Sequence, residues 1–121
     1  MKYTIGKEFE FCASHRLDGL PETHPCSRLH GHNYKVTFEF ASNTLNDIGF
    51  VIDYRDLDGI KNQIDLTLDH RHLNDVFDFN PTAEKIAEWF FIHFNARFPQ
   101  LQAVTVKETD KTYARYTFEN R

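Results

Sequence analysis

Hydrophobic and polar residues alternate in two stretches of the N-terminal third. From Lys2 to His15, Tyr3, Ile5, Phe9, Phe11, Ala13 and His15 share one parity, and Thr4, Gly6, Glu8, Glu10, Cys12 and Ser14 the other. From His30 to about Ala41, His32, Tyr34, Val36, Phe38 and Phe40 face one way, and Asn33, Lys35, Thr37 and Glu39 the other. A period of two predicts strands with one buried face, because successive side chains leave a pleated backbone on opposite sides. Between them, Arg16 to Leu29 carries Gly19, Pro21 and Pro25 and reads as a long loop. The period then lengthens. Leu57, Ile60, Ile64 and Leu68 recur at three- and four-residue intervals, and Asp53 is placed to cap that helix. A second helix is predicted from Asn80-Pro81-Thr82, where proline suits a first turn and Asn or Thr can cap. Its stripe is Ala83, Ala87, Phe90, Phe94 and Phe98, and Pro99 ends it. Two short strands, Ala103 to Thr109 and Tyr113 to Glu119, close the chain on either side of Asp110-Lys111-Thr112.

The order ββααββ predicts an α+β domain, a four-stranded antiparallel sheet with two helices on one face. Such a sheet has two edges, which are normally blunted or paired with another copy, so a homo-oligomer is expected. With 121 residues, one domain spanning 1–121 is expected. The chain is 40 % apolar and 15 % aromatic, which excludes disorder. Its formal net charge of −4 argues against a nucleic-acid partner, which would require a basic surface. Apolar runs such as Trp89-Phe90-Phe91-Ile92 are far shorter than the roughly 20 residues of a membrane span. The N-terminal residues lack the apolar stretch of a signal peptide, so a cytoplasmic location and no membrane partner are expected. Cys12 and Cys26 are too few for a disulfide framework.

Seven histidines in so short a chain carry the chemistry. His15 ends the first strand on its apolar parity, and His32 begins the second on its own. If the two strands pair as a hairpin, these residues meet at one rim, and His30, two residues before His32, points to the same side. Three neutral imidazoles suit zinc and leave a fourth position open, which is the catalytic rather than the structural pattern. An H-x-H pair also arises by chance, but here two strand registers independently aim the rings inward. Cys26, in the loop that folds back over them with His24 and Arg28, is either a thiolate nucleophile or base, or an inert small hydrophobe. Cys12, on the polar parity, is read as inert. Asp69-His70 forms an acid–base unit if the carboxylate reaches the ring, which adjacency alone does not ensure. Glu108 shares the parity of Val104 and Val106, where a carboxylate needs a partner. That partner is a ligand edge with two parallel N–H donors, or one of Lys107, Lys111 and Arg115. His72 has no evident task, and His93 is expected on the solvated side of its helix. No P-loop, dinucleotide fingerprint or G-x-S-x-G pattern occurs.

In order along the chain stand Phe11-x-Ala13-Ser14-His15, Cys26-x-x-Leu29-His30-Gly31-His32-Asn33-Tyr34, Leu68-Asp69-His70, Asn80-Pro81-Thr82-x-Glu84 and Val106-Lys107-Glu108-Thr109. Together these motifs resemble the 6-pyruvoyl-tetrahydropterin synthase superfamily over essentially the whole chain, and look most like its bacterial 6-carboxy-5,6,7,8-tetrahydropterin synthase branch, which serves queuosine and 7-deazapurine biosynthesis. The resemblance implies a T-fold whose subunits close into barrels, commonly a homohexamer of two trimers. It implies Zn2+ on His15, His30 and His32, a catalytic group of Cys26, Asp69 and His70, and a small-molecule pterin bound by Glu108 with the adjoining Thr109. Active sites of this family lie between subunits, so Asp69 and His70 would serve a neighbour's Cys26. The implied reaction turns 7,8-dihydroneopterin triphosphate into 6-carboxy-5,6,7,8-tetrahydropterin, acetaldehyde and triphosphate, a lyase activity. Arg28, Lys35 and Lys111 are candidates for the phosphates. Alternatives are the 6-pyruvoyl product of the biopterin pathway, or a non-catalytic metal- or pterin-binding oligomer.

Overall fold

A computed structural model describes residues 1–118 of the chain. The predicted hairpin is its backbone: β1 (Tyr3–His15) and β2 (His30–Ser42) pair antiparallel along their whole length. β4 (Leu101–Lys107) continues the sheet beside β2, and β5 (Ala114–Thr117) beside β4. The C-terminal end of the last predicted strand, Glu119, lies outside the described residues. The sheet has five strands rather than four, because β3 (Arg71–His72) adds parallel to β1 at Ala13 and Ser14, giving the order β3-β1-β2-β4-β5. Two residues are too few to show any alternation, which is why β3 leaves no trace in the pattern.

The first predicted helix starts as a 3-10 turn, Tyr54–Leu57, where the Asp53 carboxylate accepts the Arg55 N–H at 2.9 Å. It then runs as α1 (Asp58–Thr67). A further short helix, α2 (Leu73–Val76), follows β3 directly, so the described residues hold three α-helices where two are predicted. The last, α3 (Ala83–Phe94), is capped by Thr82, whose side chain accepts the Lys85 N–H. Asn80 is not the cap. Its amide instead binds both backbone groups of Asp18, at 2.9 and 3.1 Å, and Pro81 precedes the cap rather than opening the first turn.

One apolar core lies between the helices and one sheet face. Phe9, Phe11, Val36, Phe38 and Val106 meet Ile60, Ile64, Ile86, Phe90 and Phe94 there. Phe38 sits at its centre, edge-on to Phe9, Phe90 and Phe94 at 5.7, 5.6 and 5.6 Å between ring centroids. Such edge-to-face pairs add about 0.5–1.5 kcal/mol beyond area burial, so an aromatic-rich core locks the strand parity firmly. The opposite face, with Glu10, Cys12, Asn33 and Arg115 exposed, carries polar side chains. From Tyr3 to Cys12 the outer edge of β1 has no strand partner among the described residues. No helix in them is long and apolar enough to cross a membrane.

Candidate active site

The hairpin register pairs His15 with His30 and Ala13 with His32 at one rim of the sheet. Parity turns His15, His30 and His32 to the helix-covered side, and their ligating nitrogens all fall within 4.8 Å of one another. The rings meet at steep angles, with centroids 4.5 Å apart for His15–His30, 5.1 Å for His15–His32 and 4.9 Å for His30–His32. This is the convergence that the two alternating patterns predict.

Two backbone carbonyls set the tautomers. His15 Nδ1 lies 2.9 Å from the Pro81 oxygen, and His30 Nδ1 lies 2.7 Å from the Arg28 oxygen. A carbonyl only accepts, so each Nδ1 carries the proton and each neutral ring offers a lone pair at Nε2. Fixing a ring through its other nitrogen is how metal-binding histidines are oriented. His15 is 0 % exposed, and its Nε2 has no hydrogen-bond partner among the described residues. Leaving such an atom unsatisfied costs about 1–3 kcal/mol, which a bound cation would offset. The donor set therefore fits a divalent metal of the zinc type, with room for a non-protein ligand.

Burial is the main influence on His15 and lowers its pKa to about 4; the Pro81 carbonyl opposes that shift, and His30, His32 and His72 reinforce it. His32 is lowered too, by burial first and His30 second. Both rings are thus neutral at pH 7, the state that binds metal. Because the folded value for His15 lies below the unfolded 6.5, the unfolded chain binds the extra proton between them. Stability from this group is complete above about pH 6.5 and declines as pH falls toward 4. Thermal melts of chelator-stripped protein should therefore show a falling Tm over that interval. A flat profile there would remove His15 as a buried neutral base.

Glu108 stands one residue beyond β4 and keeps the core parity of Val104 and Val106. Its Oε2 lies 3.3 Å from His15 Nε2 and 3.7 Å from His32 Nε2. Burial raises its pKa, and His30 works in the opposite direction. None of the cations offered by the sequence pairs with it among the described residues: Arg115 instead grips Glu39 with two bonds of 2.8 and 3.1 Å. Beneath the histidines, Tyr34 stacks on Phe11 at 4.9 Å and meets His15 and His32 edge-on. Its buried hydroxyl has no hydrogen-bond partner among the described residues, and burial followed by Glu108 raises its pKa.

Cys26 lies in a 3-10 turn, Pro25–Ser27, and donates its N–H to His24 Nδ1 at 3.0 Å. The surrounding loop has no regular ladder, yet it is tied down. Leu17 N–H donates to the Cys26 carbonyl at 2.8 Å. The Asn74 amide binds both backbone groups of Arg16, as Asn80 does those of Asp18. Cys26 is consequently held half-buried, lining a cavity of about 320 Å³ with Leu17, His30, His32 and Glu108.

Asp69 and His70 do touch. Asp69 Oδ2 lies 2.9 Å from His70 Nδ1, while Oδ1 accepts the Cys12 N–H at 2.9 Å. The Cys12 N–H is the main cause that holds the Asp69 carboxyl below its ordinary range, with His70 assisting and burial opposing. His70 has φ of 59°, a left-handed conformation that costs a non-glycine residue on the order of 1 kcal/mol. Its N–H is anchored to the Cys12 carbonyl at 2.6 Å, and the turn throws the ring outward, 80 % exposed. Cys12 thus contributes backbone groups.

Asp69 lines a second cavity of about 700 Å³ with Glu10, His32, Lys35, Glu108 and Thr109. His32 and Glu108 border both cavities, Cys26 only the first and Asp69 only the second. Among the described residues no hydrogen bond or ion pair links Cys26 to Asp69 or His70, and Cys26 and Asp69 line different cavities. Thr109 Oγ1 accepts the Lys111 N–H at 3.3 Å. Of the phosphate candidates, Lys35 is engaged by Asp110 at 3.1 Å, whereas Arg28 and Lys111 are exposed. The remaining histidines have structural partners: His72 with Ser14 at 3.0 Å, and exposed His93 with Gln63 at 2.6 Å. Sequence reasoning missed the Pro81 and Arg28 carbonyls, for which no side-chain signal exists, and the Asn74 and Asn80 straps.

The chain is similar to known proteins over nearly its whole length. A curated 6-carboxy-5,6,7,8-tetrahydropterin synthase from Synechocystis sp. is 37% identical, over 94% of this chain and 92% of its own. One from Bacillus subtilis is 29% identical, over 94% of this chain and 84% of its own. The solved 6-pyruvoyl tetrahydropterin synthase of Caenorhabditis elegans superposes with a TM-score of 0.84 at 25% identity, covering 97% of this chain and 96% of that one. The sequence profile described as 6-pyruvoyl tetrahydropterin synthase matches residues 4–119. Spanning nearly the full length, that match establishes that the chain belongs to the 6-pyruvoyl tetrahydropterin synthase family of lyase-type enzymes.

Proposed function

We propose that this chain, as a single T-fold synthase domain over residues 1–121, is a zinc-dependent 6-carboxy-5,6,7,8-tetrahydropterin synthase of queuosine and 7-deazapurine biosynthesis. It takes 7,8-dihydroneopterin triphosphate and water to 6-carboxy-5,6,7,8-tetrahydropterin, acetaldehyde and triphosphate. The observation that carries this reading is the convergence of three imidazoles around a buried, partnerless His15 Nε2. The curated relatives bearing that name support the choice of product.

His15, His30 and His32 would hold the ion, which supplies Lewis acidity toward the side-chain hydroxyls of the substrate. The Cys26 thiolate removes the proton at the carbon next to the ring. Glu108 accepts the 2-amino and ring N–H donors of the pterin edge, a bidentate carboxylate contact, with Thr109 beside it. His70 receives a fixed orientation from Asp69 at Nδ1, so its Nε2 is the atom that exchanges protons with the side-chain oxygens. That ring is exposed and does not line the cavity of its own Cys26, which supports a role toward the Cys26 of a neighbouring copy. The unpaired edge of β1 and the edge strand β5 offer the pairing that would close such copies into the barrel of a homohexamer. A cytoplasmic enzyme is proposed on the same reading.

Product analysis tests it: zinc-loaded protein given dihydroneopterin triphosphate should release acetaldehyde in step with triphosphate. The C. elegans likeness favours a second reading with the 6-pyruvoyl product, which would release triphosphate and no acetaldehyde. Pterin binding with no turnover would point to a non-catalytic oligomer.

A further inference from the structure

The approach of Glu108 to the histidines is chemically odd unless a cation lies there. His15 donates Nδ1–H to Pro81, so the nitrogen that meets Glu108 is the one with a lone pair. A carboxylate oxygen is likewise an acceptor. Two acceptors 3.3 Å apart in a buried site repel each other, and the same carboxylate oxygen stands 3.7 Å from His32 Nε2. The separations themselves suggest the remedy. Two ligands at about 2.0–2.2 Å from one tetrahedral zinc stand roughly 3.3–3.6 Å apart. His15 Nε2 and Glu108 Oε2 have that spacing, whereas the carboxylate makes no comparable contact with His30. It therefore stands over the His15–His32 side of the triad.

We propose that Glu108 is a shared carboxylate: it caps the metal on His15, His30 and His32 when no pterin is bound, and leaves it for the pterin ring edge when substrate enters. The capping half stands on the contacts alone, and the exchange half rests on the pterin reading above. One carboxylate oxygen thereby completes the coordination of the resting site and neutralises part of the charge of the ion. Its departure frees a coordination position for the substrate hydroxyls at the moment the ring is seated. Binding of the ring and opening of the metal are then one event, and by linkage each weakens the hold of Glu108 on the other partner.

The test is zinc affinity, measured by competition with a chromophoric chelator, for the parent and for Glu108→Gln, which keeps size and removes charge. Outer-sphere partners of metal ligands are worth about 10–100-fold in affinity, so a capping carboxylate should cost at least 10-fold. Unsubstituted pterin, which has the ring edge but no hydroxylated side chain, should weaken zinc binding in the parent and leave the variant unchanged. Cobalt-loaded parent should change its visible absorption as the pterin binds, and this arm needs no substitution should Glu108→Gln fail to fold. Zinc affinity of the variant within twofold of the parent overturns the cap. Pterin bound, by fluorescence, with an unmoved cobalt spectrum overturns the exchange. A zinc-weak variant of a parent that binds no pterin retains the cap while overturning both the exchange and the pterin-synthase reading.

Discussion

Cys26→Ala retains one metal per chain and loses turnover by about 10²–10⁴-fold, the span that a positioned acid or base contributes. Its thiol borders the same cavity as His30, His32 and Glu108 but makes no hydrogen bond to them, so its removal leaves the ligand set and its carbonyl anchors untouched. The loop should also hold, because Cys26 secures it through backbone groups, the N–H to His24 and the carbonyl to Leu17. Steady-state kinetics beside elemental analysis separate the two effects. Full activity in the variant would strike Cys26 from the mechanism; loss of metal would mean that the thiol supports the site in a way the contacts do not show.

His32→Ala should bind zinc at least about 100-fold more weakly, since even indirect partners are worth 10–100-fold. His32 is one of three converging nitrogens and borders both cavities, so the loss should reach activity as well as metal content. It is also the gentlest of the ligand deletions for the fold. His15 is fully buried and bonded to Pro81, whereas His32 is partly exposed at the rim and its ring makes no hydrogen bond to the backbone among the described residues. Thermal stability of the metal-free variant should therefore stay close to that of the metal-free parent. A variant that remains stoichiometrically loaded after dialysis against a mild chelator would overturn the ligand assignment.

The convergence of the three histidines was readable in advance because strand parity is binary: once Phe9 and Phe11 face the core, His15 must too, and Tyr34 and Val36 decide His32 and His30 in the same way. Glu108 was legible by the same rule, although the partners it meets are imidazoles across the sheet and not the cations near it in sequence. Asp69–His70 was adjacent on paper only; their contact depends on a left-handed turn at His70 that no propensity signals. Asn80 misled because an amide beside proline resembles a cap, and the competing use, straddling Asp18, is a tertiary contact. The two residues of β3 could not announce themselves, because a pair is too short to show a period.

The histidine anchors have a consequence for the segment between them. An ion gripped by His15 and His30 clasps the two ends of the loop that carries Cys26, a cross-link spanning roughly 15 residues, a length for which a covalent bridge stabilises by about 3 kcal/mol. Loading would thus shield Arg16 to Leu29 from proteases and slow amide exchange at Leu17, whose N–H is bonded to the Cys26 carbonyl. Chelation would then silence the proposed reaction twice over, by taking away its Lewis acid and by loosening the loop that holds its base.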